Sequence, residues 1–199
     1  MSDPYFITVS LVVSFLGGGI VSAAINWVRT ERADKKERKI KFLDDQLRKL
    51  YGPLYYFVSQ SEKCFELNDR FHKAYNEEFI QEKWSKDTLT QERLRVRAGQ
   101  TLELANQYIA EVKSNNHKIK EILDNNYSFI DPDDVDVFML FNEHYLRFNK
   151  EIEESGKLIT PDGIYEKIGD ISFLRPDFID RVKLKFQKKK TKLEDLLNK

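Results

Sequence analysis

The sequence predicts an all-α protein in which one N-terminal transmembrane helix is followed by a cytoplasmic helical bundle. Three observations support this prediction. The chain begins with a long uncharged segment, apolar residues recur every three or four positions after it, and no strand-like alternation lasts beyond a few residues. A run of this length without charge is typical of a membrane span, and the later spacing is typical of amphipathic helices.

Composition limits the classes of protein that remain. The 199 residues include 33 Lys and Arg against 33 Asp and Glu, with a mean hydropathy of -0.57. This excludes a polytopic membrane protein, and the balanced charge gives no overall sign of nucleic-acid binding. A single cysteine, Cys64, cannot form an intramolecular disulfide, which fits a reducing compartment.

The predicted span runs from Tyr5 to Val28, 24 residues without a charged side chain. As a helix it would be roughly 36 Å long, enough to cross about 30 Å of hydrocarbon. Aromatic residues lie at both ends, where their rings favour the headgroup layer. We therefore divide the chain into a transmembrane helix (5–28), a basic juxtamembrane helix (29–51) and a cytoplasmic helical domain (53–199).

Flanking charge sets the expected orientation. Residues 1–4 contain no Lys or Arg, whereas residues 29–41 contain seven. Because the positive flank of a span stays in the cytoplasm, we expect a single-pass protein with its N-terminus outside. Two alternatives are a cleaved signal peptide, which lacks its usual basic start here, and a buried core helix, for which such a charge step is not expected.

Small and polar residues recur at every fourth position of the span: Ser10, Ser14, Gly18, Ser22 and Asn26. Such a stripe allows close helix packing, so we expect it to drive homo-oligomerisation. It could also line a pore in a ring of helices. The alternative is that these residues have no role, since many single-pass helices contain Ser and Gly.

After the span the pattern predicts helices throughout. The first helix is expected to continue until Gly52-Pro53 ends or bends it, and a second follows with an aromatic-rich face. Asp87 is predicted to cap a third helix, which stops at residues 124–126, and Asp131-Pro132 to cap a fourth, which ends near Gly156. The predicted buried side of the fourth helix contains Val135, Phe138, Met139, Phe141, Tyr145, Phe148 and Ile152. The pattern weakens over 157–175, and a last helix begins near Pro176.

Residues with catalytic or metal-binding chemistry are scattered. His72, His117, His144 and Cys64 show no paired spacing, so the sequence predicts no metal site, no cofactor and no enzyme. A helical ribonuclease of the HEPN class would need an Arg four to six residues before a His, and no histidine here has one. Cys64 occupies an apolar helical position, which favours a buried structural thiol.

A basic cluster lies near the C-terminus: Lys183, Lys185, Lys188, Lys189, Lys190 and Lys192. These side chains are candidates for contact with RNA or with anionic lipid. A charged helix face that is simply solvated is the alternative, and the sequence favours it.

The N-terminal span, the basic helix after it, the segment Tyr51-Gly52-Pro53-Leu54-Tyr55 and the all-helical remainder together resemble a family of small bacterial membrane proteins. These are the accessory membrane proteins of type VI-B CRISPR systems, which act with an RNA-guided RNA nuclease. The resemblance implies a homo-oligomeric pore in the inner membrane, with a divergent HEPN-like cytoplasmic body, that supports antiphage defence.

Three functional hypotheses follow from the sequence. The first is the pore or membrane-perturbing effector, with the lipid bilayer, further copies of the chain and an RNA-guided defence nuclease as partners and no small-molecule substrate. The second is a membrane-tethered RNA binder or HEPN-like nuclease that uses the C-terminal lysines with His117 or His144. The third is a passive membrane anchor that docks another protein on its bundle.

Overall fold

The computed structural model describes the backbone of residues 4–84, 86–155 and 174–198. Side chains of residues 4–20, 78–84 and 151–155 and of a few single residues, including His72, lie outside the described set. All regular secondary structure in the described ranges is helical, which confirms the all-α prediction. The long helices are α1 (Pro4–Gln46), α2 (Gly52–Trp84), α3 (Thr88–Asn125), α4 (Val135–Ser155) and α5 (Pro176–Leu197).

Helix α1 continues without a break beyond the predicted span, as the sequence predicts, and then passes through a π-helical turn, Leu47–Tyr51, into α2. The Gly52 N–H donates to the Leu47 carbonyl, one residue further back than in an α-helix. A Cβ at Gly52 would lie 2.5 Å from that carbonyl oxygen, so the turn requires glycine. Pro53, which has no N–H, can follow because it occupies the first turn of α2.

Helices α2 and α3 form a long hairpin. Asp87 accepts hydrogen bonds from the backbone N–H groups of Leu89 and Thr90, which confirms the predicted cap of α3. Phe71 stacks on Tyr108 with ring centroids 5.5 Å apart. Near the middle of the hairpin, the buried Cys64 packs with Val112 and with Phe148 of α4.

The main core lies where the π-helical turn, α2, α3, α4 and α5 meet. Its fully buried members include Tyr51, Leu54, Ile119, Phe141 and Phe178. Phe141 of α4 stacks on Phe178 of α5 with centroids 5.0 Å apart. Burial of each such side chain stabilises the fold by on the order of 2–3 kcal/mol.

Two details of the sequence-based prediction need correction. Asp131 precedes a 3₁₀ turn (Pro132–Asp134) at the start of α4, but its carboxylate caps no backbone N–H and binds other side chains. Val135 and Met139, predicted on the buried side of α4, are exposed, because the buried face of this helix follows Phe138, Phe141 and Phe148. The segment of weak pattern lies largely in 156–173, outside the described residues.

The chain divides into two compact units, one of residues 1–44 with 192–199 and one of residues 45–191. Residues 45–51 belong to the second unit because Gln46, Leu50 and Tyr51 are buried there.

Among the residues that the structure describes, no helix has a stretch long and apolar enough to cross a membrane. Of the predicted span Tyr5–Val28, the side chains of residues 5–20 lie outside the described set.

Candidate functional site

The predicted C-terminal basic cluster splits into two groups in α5. Lys185 and Lys189 are buried, with 9% and 7% of their surfaces exposed, and Lys183 is half-buried against Glu62, 2.6 Å away. The other three members, Lys188, Lys190 and Lys192, are exposed. The exposed group can reach an external anion, whereas Lys185 and Lys189 lie in the interior of the described fold.

Lys185 is surrounded by three carboxylates from the segment that leads into α4. Its Nζ lies 3.0 Å from Asp131 Oδ2, 2.8 Å from Asp133 Oδ1 and 3.2 Å from Asp134 Oδ1. The ammonium donates hydrogen bonds to Asp131 and Asp133, and the Asp134 carboxylate adds an ion pair, so the buried charge is compensated. The lysine thereby fixes α5 against the turn before α4.

Lys189, one helical turn further along α5, extends the network to the π-helical turn. Its Nζ donates to Gln46 Oε1 at 2.7 Å and to Asp131 Oδ1 at 2.9 Å, and it lies 4.8 Å from the centre of the Tyr51 ring. Gln46 in turn donates to Asp131 and to the Phe129 carbonyl. Three segments distant in sequence thus meet through one polar network.

Arg181 completes the stripe of cations at every fourth position of α5. Its Nε lies 3.2 Å from Oδ1 of the fully buried Asp134, and its Nη2 donates to the Asp133 carbonyl at 2.9 Å. Asp134 Oδ1 meets its cations at ion-pair distance without hydrogen-bond geometry, whereas its Oδ2 accepts a 2.6 Å hydrogen bond from the Tyr51 hydroxyl. The attraction at Oδ1 is therefore mainly that of charge.

The network is electrically balanced, with three carboxylates facing Arg181, Lys185 and Lys189. Burial alone would raise the pKa of Asp131, but hydrogen bonds from Lys189, Lys185 and Gln46 outweigh it and hold that pKa below its usual value. Burial likewise opposes the charged form of Lys185, yet its hydrogen bonds to Asp133 and Asp131 and the nearby charge of Asp134 raise its pKa. Asp131 and Lys185 are therefore both charged near neutral pH.

Carboxylate oxygens of Asp131, Asp133 and Asp134 lie within 4.8 Å of one another, a spacing that a metal ion could use. The Lys185 ammonium already lies within 3.2 Å of an oxygen from each of the three. The chain itself therefore supplies the positive charge that such a cluster needs, and we treat the network as structural.

The two histidines that the sequence singled out lie on the facing helices α3 and α4. His117 is exposed, and its two ring nitrogens lie 3.0 Å from the Tyr145 hydroxyl and 3.4 Å from Glu121 Oε1. His117 therefore ties the surface of α3 to that of α4.

His144 lies in the interior. Its Nε2 is 3.4 Å from the amide nitrogen of Asn116, a contact in which the imidazole accepts and is therefore neutral. Burial, followed by the charge of nearby Arg147, lowers the pKa of His144 to about 4. A histidine held neutral in this way is suited to packing at neutral pH, not to holding a positive charge for a phosphate.

A cavity of about 370 Å³ lies between α2 and the beginning of α5. Both charged side chains among its described lining residues have partners, since Glu62 binds Lys183 and Glu66 binds Lys63.

Cys64 is buried, as predicted, and burial together with the charge of Glu111 raises its thiol pKa, which favours the unreactive protonated form.

The described part of the predicted span, residues 21–28, is exposed along its whole length. Val21, Ile25 and Trp27 have 58%, 49% and 67% of their surfaces exposed. Ser22 and Asn26 of the predicted packing stripe are exposed as well, and Ser10, Ser14 and Gly18 lie outside the residues whose exposure the structure describes. Apolar side chains on one helix here remain uncovered by the described part of the protein.

Searches of protein-family models, curated proteins and solved structures found no match to this chain. The functional interpretation therefore depends on the residues and on the geometry described above.

Sequence reasoning missed the acidic half of the network, although a signal was present. Arg181, Lys185 and Lys189 recur at every fourth position and so lie along one helix face, and the sequence also contains a compact acidic run at 131–134. Gln46 and Tyr51 gave no comparable signal, because their roles depend on the π-helical turn that brings them to the network.

Proposed function

We propose that this protein is anchored in the bacterial inner membrane by a single N-terminal span and assembles there into a homo-oligomer. The observation that carries the proposal is the uncharged segment Tyr5–Val28, which is followed directly by a basic flank. Two features of the structure support it: α1 continues without a break through and beyond this segment, and the apolar side chains at 21–28 are exposed. Exposed apolar surface of this kind calls for lipid or a partner.

Assembly is proposed to occur through the stripe of Ser10, Ser14, Gly18, Ser22 and Asn26. Small residues let helix backbones approach closely in lipid, where packing replaces the hydrophobic effect as the driving force. In a ring of such helices the hydroxyl groups and the Asn26 amide could face water, so the assembly would open a pore or disturb the bilayer. The resemblance to the type VI-B CRISPR accessory proteins supports a role in antiphage defence beside an RNA-guided nuclease.

Two measurements test the proposal. Extraction of membranes with carbonate should leave the full-length chain in the pellet, and recovery in the supernatant would refute the span. Vesicles that contain the purified protein should leak a trapped dye. Leakage no greater than from empty vesicles, with or without the partner nuclease, would refute the pore.

A pair of substitutions tests the stripe. Replacing Gly18 and Ser22 with Leu should reduce oligomer size in detergent, because bulky side chains separate the backbones. The matched control replaces Val12 and Phe15, which lie off the stripe, with Leu. If both double variants keep the size of the wild-type oligomer, the stripe does not mediate assembly.

The other two hypotheses are distinguishable from this one. The buried, neutral His144 and the hydrogen-bonded His117 give the nuclease hypothesis no specific support from the described geometry. A monomer that stays in the membrane pellet and captures one stoichiometric partner would favour the passive anchor.

A further inference from the structure

The juxtamembrane part of α1 has a charge distribution that the span does not explain. Residues 29–41 carry seven basic and three acidic side chains, and all of residues 32–39 are exposed. Each acid is followed four residues later by a base, the order that favours an ion pair along a helix. These pairs are Glu31 with Lys35, Asp34 with Arg38, and Glu37 with Lys41.

In the structure one of these pairs is an ion pair, with Lys35 Nζ 2.6 Å from Glu31 Oε1, whereas Arg38 donates to the backbone carbonyl of Asp34. By sequence spacing, three of the seven bases have an acid four residues before them. The other four, which we call the basic stripe, are exposed and have no acid four residues before them: Arg29, Arg32, Lys36 and Lys39.

The basic stripe occupies one narrow face. At about 100° per residue its members fall within about 80° of the helix circumference, and they rise about 15 Å from Arg29 to Lys39. The acids Glu31, Asp34 and Glu37 fall on the opposite half. Since α1 is continuous here, this division of charge is a fixed property of one rod-like element.

We infer that the basic stripe binds the phosphates of anionic phospholipids, an inference that rests on the proposed membrane span. Arg29 and Arg32 follow Trp27 by about 3 Å and 8 Å along the axis, which places them at headgroup depth when Trp27 lies at the interface. Lys36 and Lys39 lie about 14 Å and 18 Å beyond Trp27, further than the Debye length of about 8 Å. Contributions to lipid binding should therefore decrease in the order of the sequence.

The same reasoning separates this surface from the C-terminal lysines. Lys185 and Lys189 are buried against carboxylates, whereas the stripe is exposed and adjoins the exposed apolar residues 21–28. A cationic face continuous with a membrane-seeking helix fits an anionic bilayer surface better than it fits RNA, which would not need the apolar neighbour.

The test uses two triple variants of the full-length protein, each of which removes three positive charges. The stripe variant is R29Q/R32Q/K36Q, and the control K35Q/R38Q/K41Q removes the bases that are matched by acids. Each protein is purified from mixed phosphatidylcholine and phosphatidylglycerol in mild detergent, and the ratio of the two retained lipids is measured. We expect the lipid retained by the wild-type protein and by the control to be enriched in phosphatidylglycerol. In the stripe variant this enrichment should fall about fivefold for each arginine replaced.

Equal losses in both variants would overturn the inference, because net charge and not the stripe would then govern binding. So would a wild-type protein without enrichment, or binding of labelled RNA that disappears in the stripe variant while lipid enrichment is unchanged. Carbonate extraction of the same membranes keeps the two proposals apart. Wild-type protein in the supernatant refutes the span, whereas protein in the pellet without lipid preference refutes the stripe alone.

Discussion

Replacing Lys185 with Met should destabilise the fold, because the ammonium of this lysine lies within 3.2 Å of three carboxylates. Methionine keeps the length of the side chain, so packing is retained while the charge is removed. Loss of one partner from a buried ion network typically costs about 3–5 kcal/mol. Asp133 is 63% exposed and partly screened by water, so we take the lower end, about 3 kcal/mol.

Urea unfolding of the full-length protein, followed by circular dichroism at 222 nm, measures this effect. Lys188→Met and Lys190→Met are matched controls on the same helix, where loss of an exposed charge should change the free energy of unfolding by less than about 0.5 kcal/mol. If Lys185→Met also changes the free energy of unfolding by less than about 0.5 kcal/mol relative to wild type, the network does not stabilise the fold.

The pH dependence gives a second check on the network. The pKa values of Asp131 and Asp133 lie below their ordinary value of 3.8. Burial would raise the pKa of Asp131, but hydrogen bonds from Lys189, Lys185 and Gln46 outweigh it. A hydrogen bond from Lys185 lowers the pKa of Asp133. Stability from carboxylates of this kind is complete above the unfolded pKa and is lost as pH falls through the folded one. The difference between wild type and Lys185→Met should therefore be full at pH 7 and shrink below about pH 4. A difference that stays constant down to pH 3 would contradict the assigned charges.

Three further predictions concern other parts of the fold. His144, with a pKa of about 4 in the fold against 6.5 when exposed, should make the protein lose about 2 kcal/mol of stability between pH 7 and pH 5, because the unfolded chain binds the proton first. Urea midpoints should show this slope in wild type and in His117→Gln, and a His144→Gln variant that keeps the full slope would exclude His144 as its source. Gly52→Ala should destabilise the fold by about 1–3 kcal/mol, because its Cβ would meet the Leu47 carbonyl. The control is Gly99→Ala, where nothing lies within 4 Å of the added Cβ, and it should be neutral or slightly stabilising. Thermal melts of the two variants measure the difference. Equal melting temperatures for the two alanine variants would mean that the π-helical turn tolerates a side chain. Asp87→Ala should cost about 1 kcal/mol by loss of the α3 cap, and an unchanged melting temperature would show that the cap is dispensable.

The parts of the fold that were predictable from the sequence are those set by local chemistry. Asp87 caps α3 with its own side chain, the polar run at 124–126 ends that helix, and Pro176 begins α5, because each effect acts within a few residues. The all-helical class follows from spacing that is also local. Which of several apolar residues on α4 face the core depended on the positions of α3 and α5, and so Val135 and Met139 were assigned to the wrong side.

The site was less predictable, because its contacts join distant residues. Lys185 and Asp131 are 54 positions apart, and Lys189 and Gln46 are 143 apart. Nothing in a run of lysines distinguishes those that will be buried from those that will remain exposed, since the long apolar stem of lysine suits both environments. The four-residue spacing of Arg181, Lys185 and Lys189 shows a shared face, and only the fold reveals that this face meets carboxylates.

This division among the C-terminal lysines changes how any binding experiment must be designed. Neutralising all six lysines of the predicted cluster would remove Lys185 and Lys189 from the buried network, so a loss of RNA or lipid binding would follow from unfolding as readily as from a lost contact. Replacing only Lys188, Lys190 and Lys192 with Gln should leave the urea midpoint unchanged, because these side chains are exposed. Binding that survives this triple variant but disappears when Arg29, Arg32 and Lys36 are replaced would place the anion-binding surface of the protein on α1. Binding that disappears in the first variant at unchanged stability would place it on α5 and contradict our assignment.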